Sequence, residues 1–111
     1  MPSASATTST SPSGSTPVTT VVIKPGGIAT PNQLTIKAGT QVTFTNNDTV
    51  SHLMFSDPHP EHTDCPEINT VGYLAPGQSL QTDNLNTVRT CGFHDHNMPD
   101  VASLHGSITI Q

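Results

Sequence analysis

Apolar and polar positions alternate through most of the chain beyond residue 17. In "VTTVVI" and again in "QLTIKAGTQVTFTNND" the period is two, the repeat of an extended strand that sends successive side chains to opposite faces. Leu34 and Ile36, then Val42 and Phe44, point to one face across a turn at Ala38-Gly39, which predicts a hairpin. "VGYLAPGQSLQTDNL" places a Pro-Gly turn before another strand, and "TVRTCGF" is a further one. "HGSITIQ" closes the chain with Ile108 and Ile110 on one face. No stretch carries convincing helical periodicity. Short strands parted by Pro, Gly, Asn and Asp clusters predict an all-β domain over residues 18–111, a Greek-key antiparallel β-sandwich.

The opening "MPSASATTSTSPSGSTP", residues 1–17, is too poor in apolar side chains to join a core and reads as a disordered Ser/Thr/Pro-rich spacer. Such spacers commonly join an export signal or lipid anchor to an extracytoplasmic domain, so a periplasmic, secreted or lipid-anchored setting is expected. Three basic residues, Lys24, Lys37 and Arg89, stand against eight acidic ones. No basic face is available for nucleic acid or an anionic membrane surface. No apolar run approaches the roughly 18 residues of a spanning helix, so no membrane contact by the domain itself is expected. With no Trp and four aromatic side chains the core is small, and a covalent or metal staple would stabilise it.

The chemistry lies in the histidines. Five of the six fall in two clusters: His52, His59 and His62 in "SHLMFSDPHPEHTDCP", and His94 and His96 in "FHDHNMP"; His105 stands apart. Neutral imidazole is the commonest protein ligand for copper and zinc. An H-x-H pair on a strand presents both rings to the same side. On a strand continuing past Gly92, Cys91, Phe93 and Asp95 share one face while His94 and His96 share the other.

"QLTIKAGTQVTFTNNDTVSH", followed by "LAPGQS", a strand, a ligand-rich loop and "HGSITI", resembles the cupredoxin family over about residues 18–111. The resemblance implies a copper protein whose first histidine ligand corresponds to His52. In the blue-copper members a Cys, a His and usually a Met follow from one loop near the C-terminus. Laid onto that pattern, Asp95 falls where the thiolate would be, and Cys91 and Phe93 take core positions. The segment is similar to a small subset of cupredoxin-like proteins that carry "HDH" here and "DPHP" with a further His in the preceding insertion.

Two readings of the cysteines stand. Two cysteines in a small exported domain most often pair, and Cys65–Cys91 is the single pairing available. Alternatively the strand turns at Gly92, and Cys91 with His52, a loop histidine and an axial Met98 forms a type 1 blue-copper electron-transfer site. The favoured expectation is a histidine-rich copper site with His52, His94, His96 and His59 as ligands. His62 and Met98 are secondary candidates, and Asp57 or Asp95 orients a ring through its second nitrogen. The expected role is copper binding and handling or electron transfer, with the copper ion and a redox or copper-trafficking protein as partners. A catalytic copper or zinc centre is the enzymatic alternative. The sequence supplies no convincing general base for it, so a non-enzyme is expected. A metal-free structural sandwich with incidental histidines is the remaining class.

Overall fold

The computed structural model describes residues 19–111, so the spacer expected over residues 1–17 lies outside them. Nine strands follow in order: β1 (Thr20–Lys24), β2 (Ile28–Thr30), β3 (Gln33–Ile36), β4 (Thr43–Asn46), β5 (His52–Ser56), β6 (Gly72–Leu74), β7 (Ser79–Gln81), β8 (Arg89–Asp95) and β9 (Gly106–Ile110). Single 3-10 turns at Pro66–Thr70 and Ala102–Leu104 are the only helical segments among the described residues. One sheet has the order β2-β1-β4-β7, the other β3-β9-β8-β5-β6.

The expected sandwich is present, and its core is the alternation made physical. Val21 and Ile23, Phe44, Met54, Cys91 and Phe93, and Ile108 and Ile110 are buried between the sheets. Phe44 of the first sheet meets Phe93 of the second edge to face, with ring centroids 5.1 Å apart. Gly106 makes this contact possible, because a Cβ there would stand 2.3 Å from the Phe93 ring.

Two pairings, β1–β4 and β3–β9, are parallel, in a sandwich otherwise antiparallel. The expected hairpin between residues 33–36 and 43–46 is not formed. β3 pairs with β9 and β4 with β1 and β7, so the two strands belong to different sheets. The connection turns a corner instead. Ala38 N–H donates to Gln111 O on one sheet's side, and Gly39 N–H donates to Leu85 O next to the Thr40–Leu85 bridge on the other. Alternation fixes which way side chains face, and inward is the same requirement for a hairpin and for two strands facing across a core.

Polar groups close the end of the sandwich where β4 leads to β5. Asn46 is buried and saturates its turn: its amide donates to Val50 O and Leu74 O, and its carbonyl accepts from Asp48 N–H. Asp48 is thereby placed against His52, Oδ2 to Nε2 at 2.9 Å, while His52 Nδ1 meets Asp95 Oδ2 at 2.6 Å. All three residues are buried. The hydrogen bond from His52, followed by those from Thr49 N–H and Gly26 N–H, holds the Asp48 carboxyl below its ordinary value against the opposing effect of burial.

The insertion between β5 and β6 is tied to β8 by a disulfide between Cys65 and Cys91, 26 residues apart in sequence. Closing a ring of that size is worth about 3.5 kcal/mol on the chain-entropy model. The unreduced protein is therefore expected to show no reactive thiol in denaturant, and the Cys65→Ser/Cys91→Ser double variant to lose stability of about that size in urea unfolding. Two reactive thiols before reduction would exclude the bridge. A second expectation concerns Asp48. A carboxyl depressed in the folded state adds stability above its unfolded value of about 3.9, and loses it as pH falls through the folded value. Asp48→Asn should lower the urea midpoint at pH 7, with the gap to the parent narrowing below about pH 4; an equal gap at pH 3 would mean that the charge of Asp48 contributes nothing.

Candidate metal centre

β8 faces the core with Cys91, Phe93 and Asp95, so Gly92, His94 and His96 face away from it. Phe55 stands opposite His94 in the β5–β8 register and shares that outward face. The face is covered by the first part of the insertion, residues 57–64, so that His94 is only 1% exposed although it points away from the core.

Backbone bonds seat this cover. Asp57 N–H donates to Gly92 O at 3.0 Å, and Asp64 N–H returns to Asp57 O at 2.9 Å. Ser56 Oγ accepts from Cys65 N–H and donates to Asp57 O, while Asn69 bridges Ser56 N–H and His62 O. Gly92 supplies the space: a Cβ there would fall 2.0 Å from Asp57 Oδ2. It is an extended residue within β8, and the turn that the blue-copper reading asks of it is not made.

Four imidazoles converge under the cover. His59, His62, His94 and His96 each offer a ring nitrogen, and these atoms lie within 4.8 Å of one another. His59, the exposed member, packs its ring against those of His96, His94 and His62 at centroid distances of 4.9, 5.4 and 5.6 Å. Phe55 lines the group beside His62 and His96.

The protons can be placed from the acceptors. His94 Nδ1 stands 2.5 Å from Asp57 Oδ1, which only accepts, so Nδ1 carries the hydrogen. His94 Nε2 is then a bare lone pair, buried and without a hydrogen-bond partner. His62 repeats the arrangement, with Nδ1 donating to Ser56 O at 2.8 Å and Nε2 turned toward the group. His96 Nδ1 lies 2.9 Å from His62 Nε2 and donates to it. His62 is also the non-glycine residue with a left-handed backbone, φ 58°, among the described residues. That conformation costs energy and is held by the bond from His62 N–H to Pro58 O and by those at its carbonyl and ring.

A buried lone pair without a donor costs about 1–3 kcal/mol, and a cation bound to it removes that cost. Nitrogens sharing one ion tetrahedrally at bond lengths of about 2.0–2.1 Å lie about 3.4 Å apart, so a pair at the 4.8 Å limit closes by about 1.4 Å. The donor set therefore fits a late transition metal: several imidazoles, two with their tautomer fixed by a carboxylate and a carbonyl behind them.

Other candidate residues lie elsewhere. His52, the first ligand by resemblance, is not in this group; both of its ring nitrogens are taken by carboxylates on the inward side of the sheet. Met98 packs against the core and lines, with His52, Asp48, Val50, Val101 and Leu104, a cleft of about 390 Å³ between the end loops. Cys91 is disulfide-bonded and inward-facing, so the alternative thiolate site with Met98 is not built. His105 donates through Nε2 to Pro99 O and only flanks His94. Sequence reasoning missed Asp48, although its spacing of four residues before His52 was a signal. It also did not foresee Gly92 as the space that admits Asp57.

No protein-family model matches the chain, and no curated protein matches its sequence. Solved structures do match its fold. A purple cupredoxin from Nitrosopumilus maritimus is 22% identical with a TM-score of 0.64, over 83% of this chain and 98% of that one. The oxidised plastocyanin of Dryopteris crassirhizoma is 20% identical with a TM-score of 0.63, over 83% and 99%. Reduced auracyanin from Roseiflexus castenholzii is 15% identical with a TM-score of 0.58, over 86% and 99%. Likeness at these identities concerns the path of the backbone, and with the strand order and facing already described it leads to one conclusion: the chain has the cupredoxin fold.

Proposed function

We propose that this protein binds copper in an extracytoplasmic compartment, through His59, His62, His94 and His96, and that it serves to hold or hand over the ion. The buried, unpartnered Nε2 of His94, directed into a group of imidazoles, carries the reading. An all-imidazole set favours copper among the first-row divalent ions, which bind nitrogen most tightly at Cu(II). Support comes also from the fold, shared with a purple cupredoxin, and from the disulfide, which belongs to an oxidising compartment.

The chain's residues divide the work. Asp57 and the Ser56 carbonyl keep a hydrogen on the far nitrogens of His94 and His62, so that the near ones present lone pairs. The exposed His59 gives the group its solvent side. To offer Nδ1 as a ligand atom, His96 would move the hydrogen it shares with His62 Nε2 to its own Nε2, water returning one proton as it takes the other, so that the ring stays neutral. Phe55 beside the rings limits water there. Bound copper would supply a one-electron couple. Electron transfer is thus the second reading, supported by the fold shared with an oxidised plastocyanin and a reduced auracyanin; rapid self-exchange of the loaded protein would favour it over storage.

Copper addition is expected to give weak visible absorption, without the intense thiolate band near roughly 600 nm. His94→Ala and His62→Ala should each weaken Cu(II) binding by roughly a hundredfold or more, since even a supporting residue of a metal ligand is commonly worth 10–100-fold. Cys91→Ser should act on stability. A folded Cys91→Ser variant that binds no copper would overturn the histidine site. Apparent affinity should also fall steeply from pH 7 to about 5, because each imidazole must be neutral to bind and free imidazole titrates near 6.5. Chelator competition corrected for the chelator's own protonation should give a slope well above one decade per pH unit; a flat profile would exclude a site of several histidines.

A further inference from the structure

The chain Asp48–His52–Asp95 lies against the reverse side of the strand that carries two of the four clustered histidines. Asp95 is the middle residue of His94-Asp95-His96 and is fully buried on the inward face. Its Oδ2 takes the hydrogen bond from His52 Nδ1, and its Oδ1 accepts from Asn97 N–H at 2.8 Å and, more weakly, from Leu53 N–H at 3.4 Å. Both ring nitrogens of His52 are engaged by carboxylate oxygens, Nδ1 with Asp95 Oδ2 and Nε2 with Asp48 Oδ2. The residue that the resemblance offers as first ligand has both ring nitrogens occupied by these bonds.

Regular support for β8 ends at this point. The β5–β8 ladder runs no further than Met54 opposite Asp95, and beyond it His96 is held to β5 by its N–H bond to Leu53 O, 2.7 Å. A strand end of this kind frays unless something fixes it. We infer that the buried Asp48–His52–Asp95 chain is a positioning device for the histidine group on the opposite face of the sheet, His52 acting through Asp95 to hold the backbone from which His94 and His96 project. The inference rests on the reading of that group as the copper site. His52 thus keeps a part in the site while binding no metal: it fixes the spacing of two ligands from behind.

His52→Gln, which retains one donor, and His52→Ala, which retains none, test this against the parent protein. In the metal-free state, amide hydrogen exchange at His96 and Asn97 should quicken by about tenfold or more, and more in the Ala variant. Amides of Val21 and Phe44 in the other sheet should keep the parental rate. With Cu(II) alone as the probe, affinity should fall by roughly 10–100-fold, while pulsed EPR counts the same number of coordinated imidazoles. Loss of one imidazole from the count would make His52 a ligand and overturn the proposal. Parental exchange at His96 and Asn97 would overturn it as well, as would parental affinity in a folded variant. Should neither His52 variant fold, Asp48→Asn, which keeps an acceptor for Nε2, is expected to move the same readouts in the same direction by less, and unmoved readouts would overturn the proposal. If the parent itself binds no Cu(II), the copper reading falls, and the metal-free exchange rates still decide whether the chain holds the strand end.

Discussion

Successive residues of an extended strand cannot point the same way, and β8 meets that constraint with chemistry on both of its sides. Inward, Cys91, Phe93 and Asp95 supply a disulfide, an aromatic contact across the core and a buried carboxylate. Outward, Gly92 gives room, and His94 and His96 bring ring nitrogens into the cluster. The remaining parts of the site are arranged around that division. The insertion has to cover the outward face to bring His59 and His62 into reach, and it must return to the inward face for Cys65 to meet Cys91. A one-residue slip of β8 would exchange the two sets and bury imidazoles where Phe93 belongs.

That division was legible in the sequence because it needs only the period of two. The same alternation identified the sandwich and the inward set of Leu34, Ile36, Phe44, Ile108 and Ile110. It failed on the partner of β3, since facing is a local property and pairing is not. Loops carry no period, so the seating of His62 depends on bonds to Pro58, Ser56 and Asn69 that no spacing announces. The resemblance carried His52 over as a ligand position. What it could not carry was the ring's partners, two carboxylates, one of them 43 residues away.

The outcome is a separation of duties within one fold. The end of the sandwich where cupredoxin resemblance would place the metal is tied by the hydrogen bonds of Asp48, His52 and Asp95, and four imidazoles converge on the far side of the same sheet. Buried carboxylate and imidazole groups can hold loops together as a metal would, through charge-assisted bonds that ask nothing of the medium.

Gly92 and Asp57 have a consequence for how this sequence can change. Any side chain at 92 collides with the carboxylate at 57, and without that carboxylate His94 loses the acceptor that sets its tautomer. The constraint runs one way: a side chain at 92 requires the carboxylate at 57 to withdraw first, whereas 57 can change beside the glycine at the cost of the acceptor for His94. The order of change is thereby fixed, 57 before 92.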